Sequence, residues 1–286
     1  MTRSIDRTDP DGETSRPRRR AGWLGDRLLT LYGVLVLLFL FLPIVVVVPM
    51  SFSAASSLTF PPTEFSLRWY LSFFQDARWL AAMRTSLLVA LLSSLLALLL
   101  GSVAAYGLAR GTFRGRQLVD ANFMAPMIVP PVITAVALYI VFARVGLLGT
   151  LPGLVLGHTV LGVPYVVLVM SVAIKSFDVR IEQVTLSLGA SWFTMFRRVL
   201  LPNLLPSAFA AWIFAFITSF DEVIVTLFVG GAYNTIPKRM FNELVLQINP
   251  TITAIATLLI AFSLVLLVLF ALLMRRAGLI GRPPGG

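Results

Sequence analysis

The chain has 286 residues, 58% hydrophobic and 13% charged, with a formal net charge of +10 and no cysteine. A composition this apolar leaves no soluble core to build and places the chain among integral membrane proteins, while the lack of cysteine excludes disulfides and thiolate metal sites. No Gly-Lys pair occurs, so there is no phosphate-binding P-loop, and the positive charge follows membrane topology rather than a nucleic-acid surface.

Residues 1–27 read as a disordered basic tail carrying Arg16, Arg18, Arg19 and Arg20. A secretory signal is the rival reading, but the apolar run Leu28–Met50 is too long for a signal core and no clear cleavage site follows. That run is the first predicted span. Others follow within Thr85–Ala109, Ala121–Ala143, Leu151–Ile174, Leu204–Val229 and Ile252–Met274. The expected fold is therefore an all-α membrane protein with six transmembrane helices over residues 28–274, closed by a short tail at 275–286. Continuous apolar blocks exclude a β-barrel. Six spans put both termini on one side, and that side receives seventeen of the 23 Lys and Arg residues. By the positive-inside rule it is the cytoplasm. Two segments on the other side, Ser51–Ala82 and Gly230–Pro250, are long enough to meet a partner, or to pack Trp and Tyr at the interface.

Between the fourth and fifth spans, Asp178–Pro206 leaves the apolar pattern yet displays Trp192, Phe193 and Phe196. Trp192, Met195, Phe196, Val199 and Leu200 recur at i, i+3, i+4, i+7 and i+8, a short amphipathic helix whose apolar face needs something to bind. An interfacial helix lying on lipid is the bland alternative.

The spacing is specific. Gly189, nine residues, Val199, one residue, then Leu201-Pro202 resembles the EAA loop of bacterial ABC-importer permeases. In that family the loop is the cytoplasmic coupling segment that fits a cleft on the ATP-hydrolysing subunit. Gln183, Val184 and Thr185 stand where Glu-Ala-Ala would, and Glu182 sits one residue earlier. The resemblance implies a type I importer permease bundle with a coupling helix, and marks Glu182, Gln183, Gly189, Ala190, Trp192, Phe193, Phe196, Leu201 and Pro202 as contacts to the ATPase. The stretch Ala109–Arg116, the prolines Pro126, Pro130 and Pro131, Gly157-His158-Thr159 and Ser219–Val223 extend the likeness. The last of these resembles the second permease of spermidine/putrescine importers. The implied partners are a homologous second permease, an ATPase dimer, an extracytoplasmic substrate-binding protein and membrane lipid, with no nucleic acid. ATP and magnesium belong to the ATPase, this chain binding no cofactor, and the implied location is the bacterial inner membrane. An opine or amino-acid-like solute is the alternative cargo, and an ion-coupled secondary transporter the alternative class.

Asp221 and Glu222 are the sharpest anomaly, two acids roughly 22 Å along a helix that crosses about 30 Å of hydrocarbon. Charged groups at that depth usually face a water-filled route or a partner. They are candidates for a pathway that favours cations, against a role as acceptors at a packed helix end. His158, the only histidine, reads as a packing residue. One His and scattered carboxylates assemble neither a metal site nor a catalytic cluster.

Overall fold

The computed structural model describes residues 23–246 and 249–276. The basic N-terminal tail lies outside that range up to residue 22, as does the closing tail from residue 277. The chain divides into two units, Met1–Val46 and Val47–Gly286. The boundary falls within α1 (Trp23–Ser51), which is 29 residues long, or about 44 Å. Its Leu, Val and Phe side chains from Leu28 to Val45 are exposed, as lipid-facing positions are.

The second unit is built on three mutually packed helices, α3 (Ala77–Arg110), α6 (Leu151–Ser176) and α9 (Leu201–Phe220). Local signals start them. Asp76 caps α3 by accepting the Arg78 N–H at 2.7 Å, and Thr150 caps α6 by accepting the Gly153 N–H at 3.1 Å. Small residues let the three approach closely. A Cβ on Gly101 would lie 2.7 Å from the Val166 side chain, and one on Gly162 would lie 3.1 Å from Ala97. Of the small residues in the second span, Gly101 and Ala105 are buried in this contact, while Gly107 faces open space.

Around this trio lie α2 (Arg68–Gln75), α4 (Arg116–Ile128), α5 (Pro131–Val145), α7 (Val179–Ser187), α8 (Trp192–Met195), α10 (Ile224–Val229), α11 (Ile236–Leu246) and α12 (Thr251–Arg276). Among the described residues, five helices are long and apolar enough to cross a membrane, or six if one bent pair counts as a span.

Two predicted spans are not straight. The third, expected over 121–143, is α4 and α5 meeting at 107°. Val129 precedes Pro130 and is extended, and Pro130-Pro131 supplies no backbone N–H to continue α4. The fifth, expected over 204–229, stops at Phe220 and resumes as α10 at Ile224. The pieces that follow the two breaks pack together, with Ala135 and Phe142 of α5 against Val225 and Val229 of α10.

The long α3 gives the unit its two ends. At the Asp76 end, the Arg239 guanidinium of α11 lies over the Trp79 ring at 4.4 Å and pairs with Asp76 and Glu243. At the Arg110 end sits the segment α7–α8.

Candidate functional site

The segment between α6 and α9 is shaped by its own residues. Asp178 caps α7 by accepting the Arg180 N–H at 2.9 Å. The end of α7 is a Schellman motif, in which the Gly189 N–H reaches the Leu186 carbonyl and the Ala190 N–H reaches that of Thr185. Gly189 has φ +87°, and a Cβ there would meet nothing within 4 Å. The glycine is required by its backbone conformation, not by crowding. Two residues on, Ser191 caps α8 by accepting the Thr194 N–H at 3.2 Å.

From Phe196 to Leu200 the backbone widens into a π-helical turn that runs straight into α9. Pro202 has no N–H to give to the preceding turn, and the Val199 carbonyl accepts the Asn203 side-chain amide at 2.6 Å. The widened turn changes which residues share a face. Met195 and Leu200, five apart, both point into the core formed with Ala105, Ile174 and Leu204, and Phe196 and Val199 are half-buried. The expectation that this stripe forms an outward binding face is therefore corrected for Met195, Phe196, Val199 and Leu200, Trp192 alone remaining exposed. It is the face by which the segment is anchored to the bundle, and an apolar stripe looks the same from sequence whichever way it turns.

What remains exposed flanks Gly189 instead. Leu188 is 83%, Phe193 65% and Trp192 53% exposed. Val184 of α7 adds to this surface, and Gln183, Leu201 and Pro202 are also exposed, with Ala190 half-buried.

Glu182 lies on the opposite side of α7, only 6% exposed. Its Oε1 accepts from Arg110 Nη2 at 2.7 Å and from Arg110 Nε at 3.0 Å, and its Oε2 accepts from the Tyr106 hydroxyl at 3.2 Å. Arg110 Nη2 also reaches the Phe177 carbonyl at the end of α6, at 2.8 Å. The edge of Tyr106 meets Trp192, which stacks on Phe196 at 5.6 Å. Sequence reasoning assigned Tyr106 no role and counted Arg110 only as part of a basic turn. Their i, i+4 spacing at the end of a span was the available signal.

Asp221 and Glu222 occupy the break between α9 and α10. Asp221 is exposed, and Glu222 is half-buried with its Oε1 accepting the Val225 N–H at 2.8 Å. That carboxylate thus serves the first turn of α10, whereas Asp221 makes no such bond. Depth follows from Ser219, whose hydroxyl accepts from Ser93 at 2.8 Å. Ser93 lies half-way along α3, so the break stands near the middle of the bundle.

His158 fastens that break. Its Nδ1 is 3.1 Å from the Ser219 carbonyl and 2.8 Å from the Ser219 hydroxyl, and its Nε2 is 2.9 Å from the Thr226 hydroxyl. Both ring nitrogens are thus partnered, Nδ1 by Ser219 and Nε2 by Thr226, the tautomer setting which nitrogen donates. The imidazole, 1% exposed, is fully bonded and bridges α6 to both sides of the gap.

The family described as binding-protein-dependent transport system inner membrane component matches residues 93–278. The chain is 31% identical over 238 residues to the Escherichia coli K12 spermidine/putrescine transport system permease protein PotC, covering 83% of this chain and 90% of that one. It is 32% identical over 239 residues to the PotC protein of Haemophilus influenzae, with 83% and 93% covered. The E. coli putrescine transport system permease protein PotI is 30% identical over 230 residues, with 78% and 82% covered. Among solved structures, a bacterial alginate ABC transporter in complex with an alginate pentasaccharide-bound periplasmic protein matches with a TM-score of 0.66. It is 17% identical, and 91% of this chain and 96% of that chain are covered, so the likeness is one of fold.

Proposed function

The chain belongs to the binding-protein-dependent transport system inner membrane components, the multi-pass membrane subunits of ABC importers, and from that premise we propose that its cargo is a polyamine or a related cationic nitrogen compound. The observation that carries this reading is the likeness to the spermidine/putrescine permeases along nearly their whole length. Asp221 supports it, as an exposed carboxylate half-way through the bundle at a break in a span. A cation passing there meets negative potential with no positive residue adjacent in sequence.

In this reading a homologous permease completes the pathway, a separate ATPase dimer carries ATP and magnesium, and a binding protein delivers the cargo from outside. Residues 178–206 face the cytoplasm, as does the N-terminus. When nucleotide closes the ATPase, the exposed surface of Val184, Leu188, Trp192 and Phe193 moves with its cleft. Met195 and Leu200, buried in the bundle, carry that movement to α3, α6 and α9. Glu182, turned inward, positions the segment and makes no contact with the ATPase.

The test is uptake by the four components in proteoliposomes. Labelled spermidine accumulates with ATP and not with a hydrolysis-dead ATPase, and Asp221→Asn lowers that accumulation. Accumulation of an opine or an amino acid in place of polyamines would overturn the cargo, and unaltered uptake by Asp221→Asn and Glu222→Gln would remove both acids from the pathway.

A further inference from the structure

We propose that Tyr106, Arg110 and Glu182 are positioning residues that lock α7 to α3, so that both halves of the coupling segment, and not α8 alone, deliver movement of the ATPase to the bundle; this rests on the importer reading above.

Covalent continuity already joins α8 to α9 through the π-helical turn. The chain alone gives α7 no comparable hold on the bundle, since it hangs from the end of α6 at Phe177-Asp178. The hold comes from α3. Arg110 lies 72 residues before Glu182 in sequence and donates to its carboxylate through two nitrogens, at 2.7 and 3.0 Å. The same guanidinium takes up the Phe177 carbonyl, so one side chain grips the end of α6 and the body of α7 together. A planar fork with several donors holds such a junction in a fixed orientation, which a lysine could not do.

Tyr106, one turn earlier on α3, extends the grip. Its hydroxyl donates to the other oxygen of Glu182, and its ring edge meets Trp192 on α8. Both halves of the coupling segment, before and after Gly189, are thereby fixed to one face of one helix. The pair is largely shielded from solvent, with side-chain exposures of 18% for Arg110 and 7% for Glu182, so salt and water screen it little. Adjacent helical positions point about 100° apart. That separation keeps exposed Gln183 on the partner side and sends Glu182 inward. The acid standing one residue before the expected place is the residue that can reach α3.

The coupling ratio, uptake per ATP hydrolysed by the assembled complex, separates this role from a merely structural one. Glu182→Gln is expected to keep the ATPase attached and hydrolysing while uptake per ATP falls about fivefold or more. The swap Arg110→Glu with Glu182→Arg is expected to restore part of the loss.

The chain has no cysteine, so spin labels on Val103→Cys and Ile181→Cys, both exposed sites, report the α3–α7 separation directly. That separation is expected to be single and the same with and without ATP in the otherwise native chain, and to broaden with Glu182→Gln. A separation that changes with ATP in the native background overturns the lock, as does an unchanged coupling ratio in Glu182→Gln. Should Glu182→Gln fail to assemble, Tyr106→Phe carries the same comparison. Broadening supports the lock, and a separation and coupling ratio both unaltered overturn it. If the native complex shows no ATP-driven uptake at all, the importer reading fails and the label separations alone judge the lock.

Discussion

His158 shows how one side chain holds a weak point in the bundle. The break after Phe220 leaves the Ser219 carbonyl only a long bond from the Glu222 N–H, and the imidazole bonds Ser219 on one side of the gap and Thr226 on the other. Replacing His158 with phenylalanine leaves the Ser219 carbonyl with only the 3.4 Å bond from the Glu222 N–H and the Thr226 hydroxyl with only the 3.3 Å bond to the Glu222 carbonyl, at an expected cost of about 1–3 kcal/mol in all. His158→Gln, which keeps a donor and an acceptor, is expected to lose less. Thermal unfolding of the purified chain in detergent ranks the two, and equal stability of His158→Phe and wild type would contradict the bonding described. At the far end, Asp76 offers a pH test. Its carboxyl is held below the usual aspartate range chiefly by the hydrogen bond from the Arg78 side chain. A depressed folded-state value means stability present above the unfolded aspartate pKa of about 4 and lost as pH falls through the folded value. Acid unfolding of wild type is therefore expected to steepen below about pH 4 relative to Asp76→Asn, monitored by the same thermal assay.

The coupling segment combines two kinds of apolar residue with different roles. Leu188 and Phe193 are exposed, so Leu188→Ser and Phe193→Ser should weaken attachment of the ATPase and leave the unfolding temperature of the isolated chain unchanged. Met195 and Leu200 are buried, so truncating either to alanine should lower stability by about 2–5 kcal/mol. Pull-down of the ATPase beside unfolding of the isolated chain separates the two classes, and the reverse pattern would put the buried stripe in the cleft. Much of this segment was legible beforehand. The amphipathic stripe from Trp192 and the spacing from Gly189 to Leu201-Pro202 are short-range and written in a few residues. The direction of the stripe was not legible. An apolar face reads the same toward a partner as toward a core, and the π-helical turn shifts the register by one residue.

Across the whole molecule, charge sets the expected orientation and the lengths of the helices set the depth of the break. The topology proposed above places Leu188 in the cytoplasm and Tyr233, beyond α10, outside. Single cysteines at these two positions, in a chain without native thiols, should react with a membrane-impermeant maleimide from opposite sides of sealed vesicles. Labelling of both from one side would refute the six-span topology. The bend between α4 and α5 and the gap between α9 and α10 reduce the number of straight spans, and their pieces pack together. His158 bridges the gap after Phe220, and the pieces that follow the two breaks cover each other, while Asp221 in the gap and Ile128 at the bend stay exposed.

Composition, periodicity and motif spacing sufficed for the membrane class, the apolar runs and the coupling loop, because each is written within one continuous stretch of chain. The partners that decide how the loop and the break work lie much farther apart along the chain. Arg110 finds Glu182 across 72 positions, and His158 finds Ser219 and Thr226 across 61 and 68. Those pairings exist only once Gly101 and Gly162 have let α3, α6 and α9 close on one another, which sets the rotation and height of each helix against its neighbours. Only the packed bundle could decide which acid turns inward and which stands in the gap.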